Sequence, residues 1–167
     1  MNQIPGTEFR TVRGYQLANQ RADHLTPALE DYLEMVYRLC IENRYTRVGK
    51  LSEVLHVKPS SASKMVFRLV DLEYLEYDRY DSILLTEKGR ALGAYLLRRH
   101  DIVEQFLRFI GNPAPLEEAE LVEHSLAPET VSQISVLLGF FTHDEGALDR
   151  YIAFRAENQP SPCALEP

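Results

Sequence analysis

Glu120, Glu123 and His124 share one face if the stretch Glu120-Leu121-Val122-Glu123-His124 is helical, because residues three and four apart are neighbours on a helix. Such a face offers two carboxylates and an imidazole, all donors that a divalent cation accepts. One short helix does not make an ion site, so matching groups are needed elsewhere. Asp31 and Glu34 lie three apart in an earlier helical stretch, and His100 lies in a later one. Taken alone, Glu-x-x-Glu-His is weak, since acidic helix faces are usually just solvated. The elements that would position these six residues therefore carry the argument.

Composition sets the frame. The chain has 167 residues, enough for one domain or two small ones sharing a core, and at 45% hydrophobic and 26% charged it is ordinary for a soluble globular protein. No apolar run approaches the roughly 18 residues of a membrane span, and the N-terminus has no apolar core of the signal-peptide kind. Cys40 and Cys163 stand in no metal or redox spacing, which fits a reducing cytoplasm. The net charge of −7 argues weakly against nucleic acid, but its distribution argues the other way. Residues 44–100 hold 11 Lys/Arg against 7 Asp/Glu, and residues 101–167 hold 3 against 12. A basic middle can face phosphate, while an acidic final third can hold cations or keep the chain soluble.

In chain order, residues 1–25 lack periodicity and read as a flexible N-terminal extension. Thr26-Pro27 reads as an N-cap and a proline at the first helical position. Leu29, Leu33, Val36 and Cys40 follow at helical spacing, with Asp31, Glu34 and Arg38 on the opposite side. Cys40 is thereby a core residue. A short second helix over 48–55 leads through His56-Val57-Lys58 to a third helix over 59–72. Its apolar positions Met65, Val66, Leu69 and Val70 leave Ser60, Ser61, Ser63, Lys64 and Arg68 at the helix start and outer face. Hydroxyls at a helix start with basic residues behind them suit a helix that enters a DNA groove, although a plain amphipathic helix has the same pattern.

Two strand-like runs, Tyr74-Leu75-Glu76-Tyr77 and Ser82-Ile83-Leu84-Leu85, flank Asp78-Arg79-Tyr80-Asp81 and predict a β-hairpin. Helix, short helix, helix, hairpin is the order of a winged helix-turn-helix. Arg79 at the hairpin tip is a candidate phosphate or minor-groove contact, whereas Asp78 and Asp81 beside it fit a solvated loop. Thr86-Glu87 caps the longest helix, which ends near Gly111. Its stripe runs through Leu92, Leu96, Val103, Phe106, Leu107 and Ile110, with His100 and Glu104 along its edge, where a lone histidine is more often packing than ligand. Pro113 and Pro115 precede the Glu-rich helix. A last helix pair over 128–141 and 145–156 presents Val131, Ile134, Leu137, Leu138 and Phe141, a surface that completes the core or pairs with a second subunit. The expected fold is mainly α with a small β-hairpin wing. It divides into an extension (1–25), a winged helix-turn-helix DNA-binding domain (26–90), a helical metal-binding and dimerisation domain (91–157) and a Pro-rich tail (158–167).

At this point the motifs resemble a known family. Glu30-Asp31-Tyr32-Leu33-Glu34, Pro59-Ser60-Ser61-Ala62-Ser63-Lys64-Met65-Val66, Leu85-Thr86-Glu87-Lys88-Gly89, Arg99-His100 with Glu104-Gln105-Phe106-Leu107, and Glu120-Leu121-Val122-Glu123-His124 stand in the order found in the diphtheria-toxin-repressor superfamily. The resemblance is greatest to its manganese-responsive branch, the manganese transport regulators, and covers residues 26–141. It implies a homodimeric, metal-activated repressor of metal-uptake genes, cytoplasmic and not an enzyme, that binds double-stranded palindromic operator DNA. By position it implies Asp31, Glu34, His100, Glu120, Glu123 and His124 as manganese ligands. The iron-type branch carries Met at the position of Asp31 and Cys at that of Glu120, and neither sulfur is present here. Glu104 matches an ancillary metal position of that branch and is kept as a supporting residue only.

The donor chemistry agrees. Four carboxylates and two imidazoles without thiolate form a hard, oxygen-rich set that suits Mn²⁺, or Fe²⁺, better than Zn²⁺ or Cu²⁺. Six side chains are ample for two cations per subunit with a bridging carboxylate. Three rival readings predict differently. An iron-responsive regulator of the same superfamily would respond to Fe²⁺. A carboxylate-bridged di-metal enzyme would use paired Glu-x-x-His motifs in a four-helix bundle, and the chain has no such pair. A winged-helix regulator answering an organic effector would bind DNA regardless of a chelator.

Overall fold

A computed structural model describes residues 25–78 and 80–158. Arg79, residues 1–24 of the N-terminal extension and all but the first residue of the C-terminal tail lie outside them. The described residues form seven α-helices and a two-stranded antiparallel sheet. They divide into two compact units, one running to Ala94 and the other starting at Tyr95.

In the first unit, α1 spans Pro27–Asn43. Thr26 Oγ1 accepts the Leu29 amide at 3.4 Å, and Pro27 occupies the first turn, where its missing N–H costs nothing. The helix stops because Arg44 turns left-handed at φ 67°, letting its N–H donate back to Cys40 O. Leu29, Tyr32, Leu33, Val36, Leu39 and Cys40 are buried along one side. Burial pushes the Tyr32 hydroxyl and the Cys40 thiol above their ordinary pKa values, with Arg90 partly offsetting the shift at Cys40. A neutral, buried thiol is a packing residue, as its spacing predicts.

Helix α2 (Val48–Val54) leads to α3 (Pro59–Asp71), which buries Ala62, Val66 and Leu69 at spacings of four and three. Leu33, Val36, Leu51, Val66, Leu69, Leu75 and Ile83 are fully enclosed and form the core here. The wing pairs β1 (Leu75–Tyr77) with β2 (Ile83–Leu85) in the register Leu75–Leu85, Glu76–Leu84 and Tyr77–Ile83. The hairpin turn is held by Asp78, whose carboxylate accepts the amides of Tyr80 at 2.7 Å and Ser82 at 2.9 Å. One pairing was not legible in the chain. Thr46 bridges Ile83 antiparallel, exchanging hydrogen bonds of 3.1 and 2.8 Å, so the segment after α1 acts as a minimal third strand.

Helix α4 (Glu87–Ile110) starts under a tight clamp. Thr86 Oγ1 accepts the Gly89 amide at 2.9 Å and reaches the carbonyls of Glu73 and Tyr74. A Cβ at Gly89 would lie 1.9 Å from the Tyr74 carbonyl oxygen, so only glycine fits this approach. The division between the two units falls within α4.

The second unit holds the rest of α4, then α5 (Pro115–Val122), a 3-10 turn (Glu123–Ser125), α6 (Pro128–His143) and α7 (Glu145–Glu157). Val103, Leu107 and Ala119 pack with Val122 and Leu126. Phe109 stacks on Tyr151 and touches Phe141, while Arg155 donates to Phe109 O and covers Gly111, where α4 ends at φ 86°. Of the apolar residues expected on α6, Val131 is buried and Leu137 is exposed, and Val136 and Phe140 are exposed as well. The Glu-rich stretch is not one continuous α-helix, as its spacing predicts. The α-helix ends at Val122, and Glu123 and His124 sit in the tighter 3-10 turn. Pro128 disfavours helical backbone at Ala127, which is extended, so the chain must leave the helix before it.

Candidate metal centre and DNA-facing helix

Three elements of the second unit converge on one carboxylate. His100 comes from the middle of α4, Glu120 from the last turn of α5, and Glu123 and His124 from the 3-10 turn. Glu123 is only 1% exposed, and His100 is buried as well. Burying a carboxylate in apolar surroundings is costly unless cations or donors face it, so the neighbours of Glu123 decide what it does.

Those neighbours are two imidazoles, a guanidinium and a second carboxylate. Glu123 Oε2 lies 3.3 Å from His100 Nδ1, and His100 Nδ1 lies 3.6 Å from Glu120 Oε1. Glu123 Oε1 lies 3.8 Å from His124 Nε2 and 4.0 Å from Arg99 Nη2. Arg99 Nη2 also approaches His124 Nδ1 to 3.0 Å. Ligand-capable atoms of His100, Glu120 and Glu123 all lie within 4.8 Å of one another. Glu120 is exposed, which leaves the cluster open to solvent at its edge.

The residues present fit a divalent cation. Glu123 Oε2 is buried and, among the described residues, makes no hydrogen bond. A cation about 2.1 Å from each donor sets neighbouring donors roughly 3.0–3.4 Å apart. The His100–Glu123 separation of 3.3 Å falls in that range and the His100–Glu120 separation of 3.6 Å lies just outside it. The donors are oxygen and imidazole nitrogen only, a hard set.

The other two predicted ligands stand on α1 in the first unit. Glu34 is buried there, and its Oε1 accepts two hydrogen bonds from Arg38, at 2.9 and 2.7 Å. Asp31 lies one turn earlier on the same helix. Glu104, one turn beyond His100, pairs with Arg108.

The DNA-facing candidates lie where the spacing puts them. Ser60, Ser61, Lys64 and Arg68 are exposed on α3 and Ser63 is half-buried. Lys58 caps α3 without a side-chain hydrogen bond, and its carbonyl accepts the amides of Ser61 at 2.9 Å and Ala62 at 3.1 Å. Arg79 is outside the described residues.

Sequence reasoning gave no role to Arg99, which is 4% exposed and touches both His124 and Glu123. A signal for it existed. Arg99 falls three residues after Leu96 and four before Val103, in register with the apolar stripe of α4, where a guanidinium needs a partner.

Comparison with known proteins extends this picture. Residues 24–83 match the family described as iron dependent repressor, N-terminal DNA binding domain. Residues 86–149 match its companion, the metal binding and dimerisation domain. The HTH-type transcriptional regulator MntR of Geobacillus kaustophilus (strain HTA426) is 42% identical over 126 residues, covering 74% of this chain and 89% of that protein. The solved structure of the manganese regulator SloR superposes with a TM-score of 0.61 at 30% identity, and the T. acidophilum IdeR crystal structure with 0.60 at 28%. Each covers 70% of this chain, and the chain spans 55% of each of those structures. No helix among the described residues is long and apolar enough to cross a membrane.

Proposed function

We propose, from the premise that the chain belongs to the iron-dependent repressor family and is a metal-dependent transcriptional repressor, that Mn²⁺ is its activating ion and metal-uptake genes are its targets. The observation that carries the reading is the Glu123 carboxylate, 1% exposed, flanked by His100, Glu120 and His124. Asp31 and Glu34 join them as ligands on the strength of the motif resemblance and the donor chemistry, making six side chains for two ions per subunit.

A bound divalent ion supplies positive charge that lets these carboxylates approach one another without mutual repulsion. The protein's residues do the rest. Glu34 is one of the acids on α1, whose opposite side carries Leu33 and Val36 into the core shared with Val66 and Leu69 of α3. A change in how α1 is held is therefore felt by the helix bearing Ser60, Ser61, Ser63, Lys64 and Arg68. Those residues, with Arg79 of the wing, read a palindromic double-stranded operator as a homodimer, in the cytoplasm and without catalysing a reaction. Metal thus shifts a population between placements of the reading helices.

The choice of Mn²⁺ rests on Asp31 and Glu120, oxygen donors where iron-type relatives carry sulfur. Fe²⁺ has similar ligand preferences and is the nearest competitor. A mobility-shift titration of an operator fragment with Mn²⁺, Fe²⁺ and Zn²⁺ under anaerobic conditions tests the reading. Mn²⁺ should promote retention at the lowest occupancy of protein by metal, and Zn²⁺ should bind yet activate poorly. DNA retention indifferent to metal and chelator would sink the proposal.

A further inference from the structure

Phe67 stands on α3 with 56% of its surface exposed, although Val66 before it and Leu69 after it are fully enclosed. Single exposed apolar side chains are ordinary on protein surfaces, so exposure by itself assigns nothing. Position is what distinguishes this one. Residues three and four apart are neighbours on a helix, so Ser60, Ser63, Lys64 and Phe67 share one face of α3. The reading helix of a homeodomain offers its base-contacting side chains at the same spacing. Ser60, Lys64 and Phe67 are exposed and Ser63 is half-buried, while Ala62, Val66 and Leu69 hold the opposite face in the core. Asp71, one turn beyond Phe67, is an exposed acid that phosphate would repel, so the groove-facing stretch ends at Phe67 and Arg68.

The ring is also held. Phe67 and Tyr77 of β1 place their ring centroids 5.4 Å apart with the planes tilted by 39°. Tyr77 is itself half-buried and pairs with Ile83 across the wing. The contact fixes one side of the phenyl ring and leaves the rest to solvent, so little side-chain freedom remains to be lost on docking. A phenyl ring carries no hydrogen-bonding group. The floor of the major groove presents donors, acceptors and one apolar group, the C5 methyl of thymine. A phenyl ring brought to that floor has only the methyl to recognise.

We propose that Phe67 is a specificity-determining residue, packing on a thymine methyl in each half of the operator while Ser60, Lys64 and Arg68 make the polar contacts around it. The proposal rests on the reading of α3 as the DNA-facing helix given above.

The test uses the full chain and a duplex enriched from a randomised pool with Mn²⁺ or Fe²⁺ present. Each thymine of that duplex is replaced in turn, in both halves, by deoxyuridine, which removes the methyl and keeps every hydrogen-bonding group. Affinities are measured for wild type and Phe67→Ala. Wild type should lose affinity at one thymine per half, roughly fourfold for each methyl and about fifteenfold for the pair, as burying one such group is worth. Phe67→Ala should bind the thymine duplex more weakly and no longer distinguish deoxyuridine at that position, with Mn²⁺ uptake unchanged. If Phe67 only braces the wing against Tyr77, the variant weakens thymine and deoxyuridine duplexes alike, their ratio persists, and the proposal is overturned. Wild type indifferent to deoxyuridine at every position overturns it without any variant having to fold. The reading of α3 then still stands if Lys64→Ala and Arg68→Ala lose affinity for the same duplex. Wild type that enriches no duplex with either ion sinks both.

Discussion

Helix α3 of the first unit and the Glu123 cluster of the second place polar residues in opposite ways. On α3 the candidate contacts Ser60, Ser61, Lys64 and Arg68 are exposed and come from three turns of one regular helix, with Ala62, Val66 and Leu69 buried behind them. Around Glu123 the polar residues are mostly buried and come from α4, α5 and a 3-10 turn. The first arrangement presents groups to a partner much larger than any pocket, and each acts nearly alone. The second enclosure suits a small ion, and its members are coupled, because each satisfies a neighbour's buried charge. Substitutions should therefore cost a graded amount on α3 and nearly everything at Glu123.

The largest effect follows from that coupling. Glu123→Ala removes the carboxylate that faces both imidazoles and Arg99. Mn²⁺ affinity should drop by at least about 100-fold, since even groups that merely support a ligand are commonly worth 10–100-fold. Isothermal titration of the variant checks this, with circular dichroism to confirm the helices. A loss of only a few-fold would place Glu123 outside the metal site and remove the contrast between the two regions.

The graded effect belongs to α3. Lys64→Ala and Arg68→Ala should each weaken operator binding by about 1–3 kcal/mol if the side chain reaches a base edge, and evenly across sequences if it reaches a phosphate. Mn²⁺ uptake and dimerisation should be unchanged, because neither side chain lies in the cluster around Glu123. Operator affinities equal to wild type for both variants would mean that the reading surface is elsewhere. A double variant should be close to the sum of the singles, as suits exposed, independent contacts.

The same contrast explains what the chain made legible. The periodicity of Leu29, Leu33, Val36 and Cys40, and of Val66 and Leu69, located α1 and α3, because a helix with one buried side repeats every three to four residues. Thr26-Pro27 and Thr86-Glu87 marked helix starts, since capping is a local matter. The long-range contacts were not legible. The Thr46–Ile83 bridge joins residues 37 positions apart through the backbone alone, leaving no trace in side-chain type. The 3-10 turn at Glu123 depends on where Pro128 forces the chain to leave the helix. Arg99 was visible only as a charge in an apolar register, and its partners are fixed by the convergence of three elements.

The smallest effect concerns Asp78, an acid whose hydrogen bonds are made within its own turn and which so forms the counterpart of Glu123. Its carboxylate accepts the amides of Ser82 and Tyr80, and its own amide donates to Ser82 O at 3.0 Å. The hydrogen bond from the Ser82 amide is the main cause that holds its pKa below the ordinary 3.8; desolvation opposes it, and the Tyr80 amide, the Ser82 side chain and Arg47 lower it further. A pKa lowered on folding contributes stability that is fully present above the unfolded value and is lost as pH falls through the folded one. The turn should therefore hold throughout the neutral range and loosen only below pH 3.8. Because Asp78 makes its hydrogen bonds within the hairpin turn, the loosening should stay in the wing and leave the helices intact. A carboxyl-detected NMR titration reads this, with the Tyr80 and Ser82 amide signals moving together with the Asp78 carboxyl. In Asp78→Asn the two amides should stop responding to acid in that window. An Asp78 carboxyl that titrates at or above 3.8 while those amides stay still would mean that the turn is not held by its acid. The local satisfaction that separates Asp78 from Glu123 would then be lost.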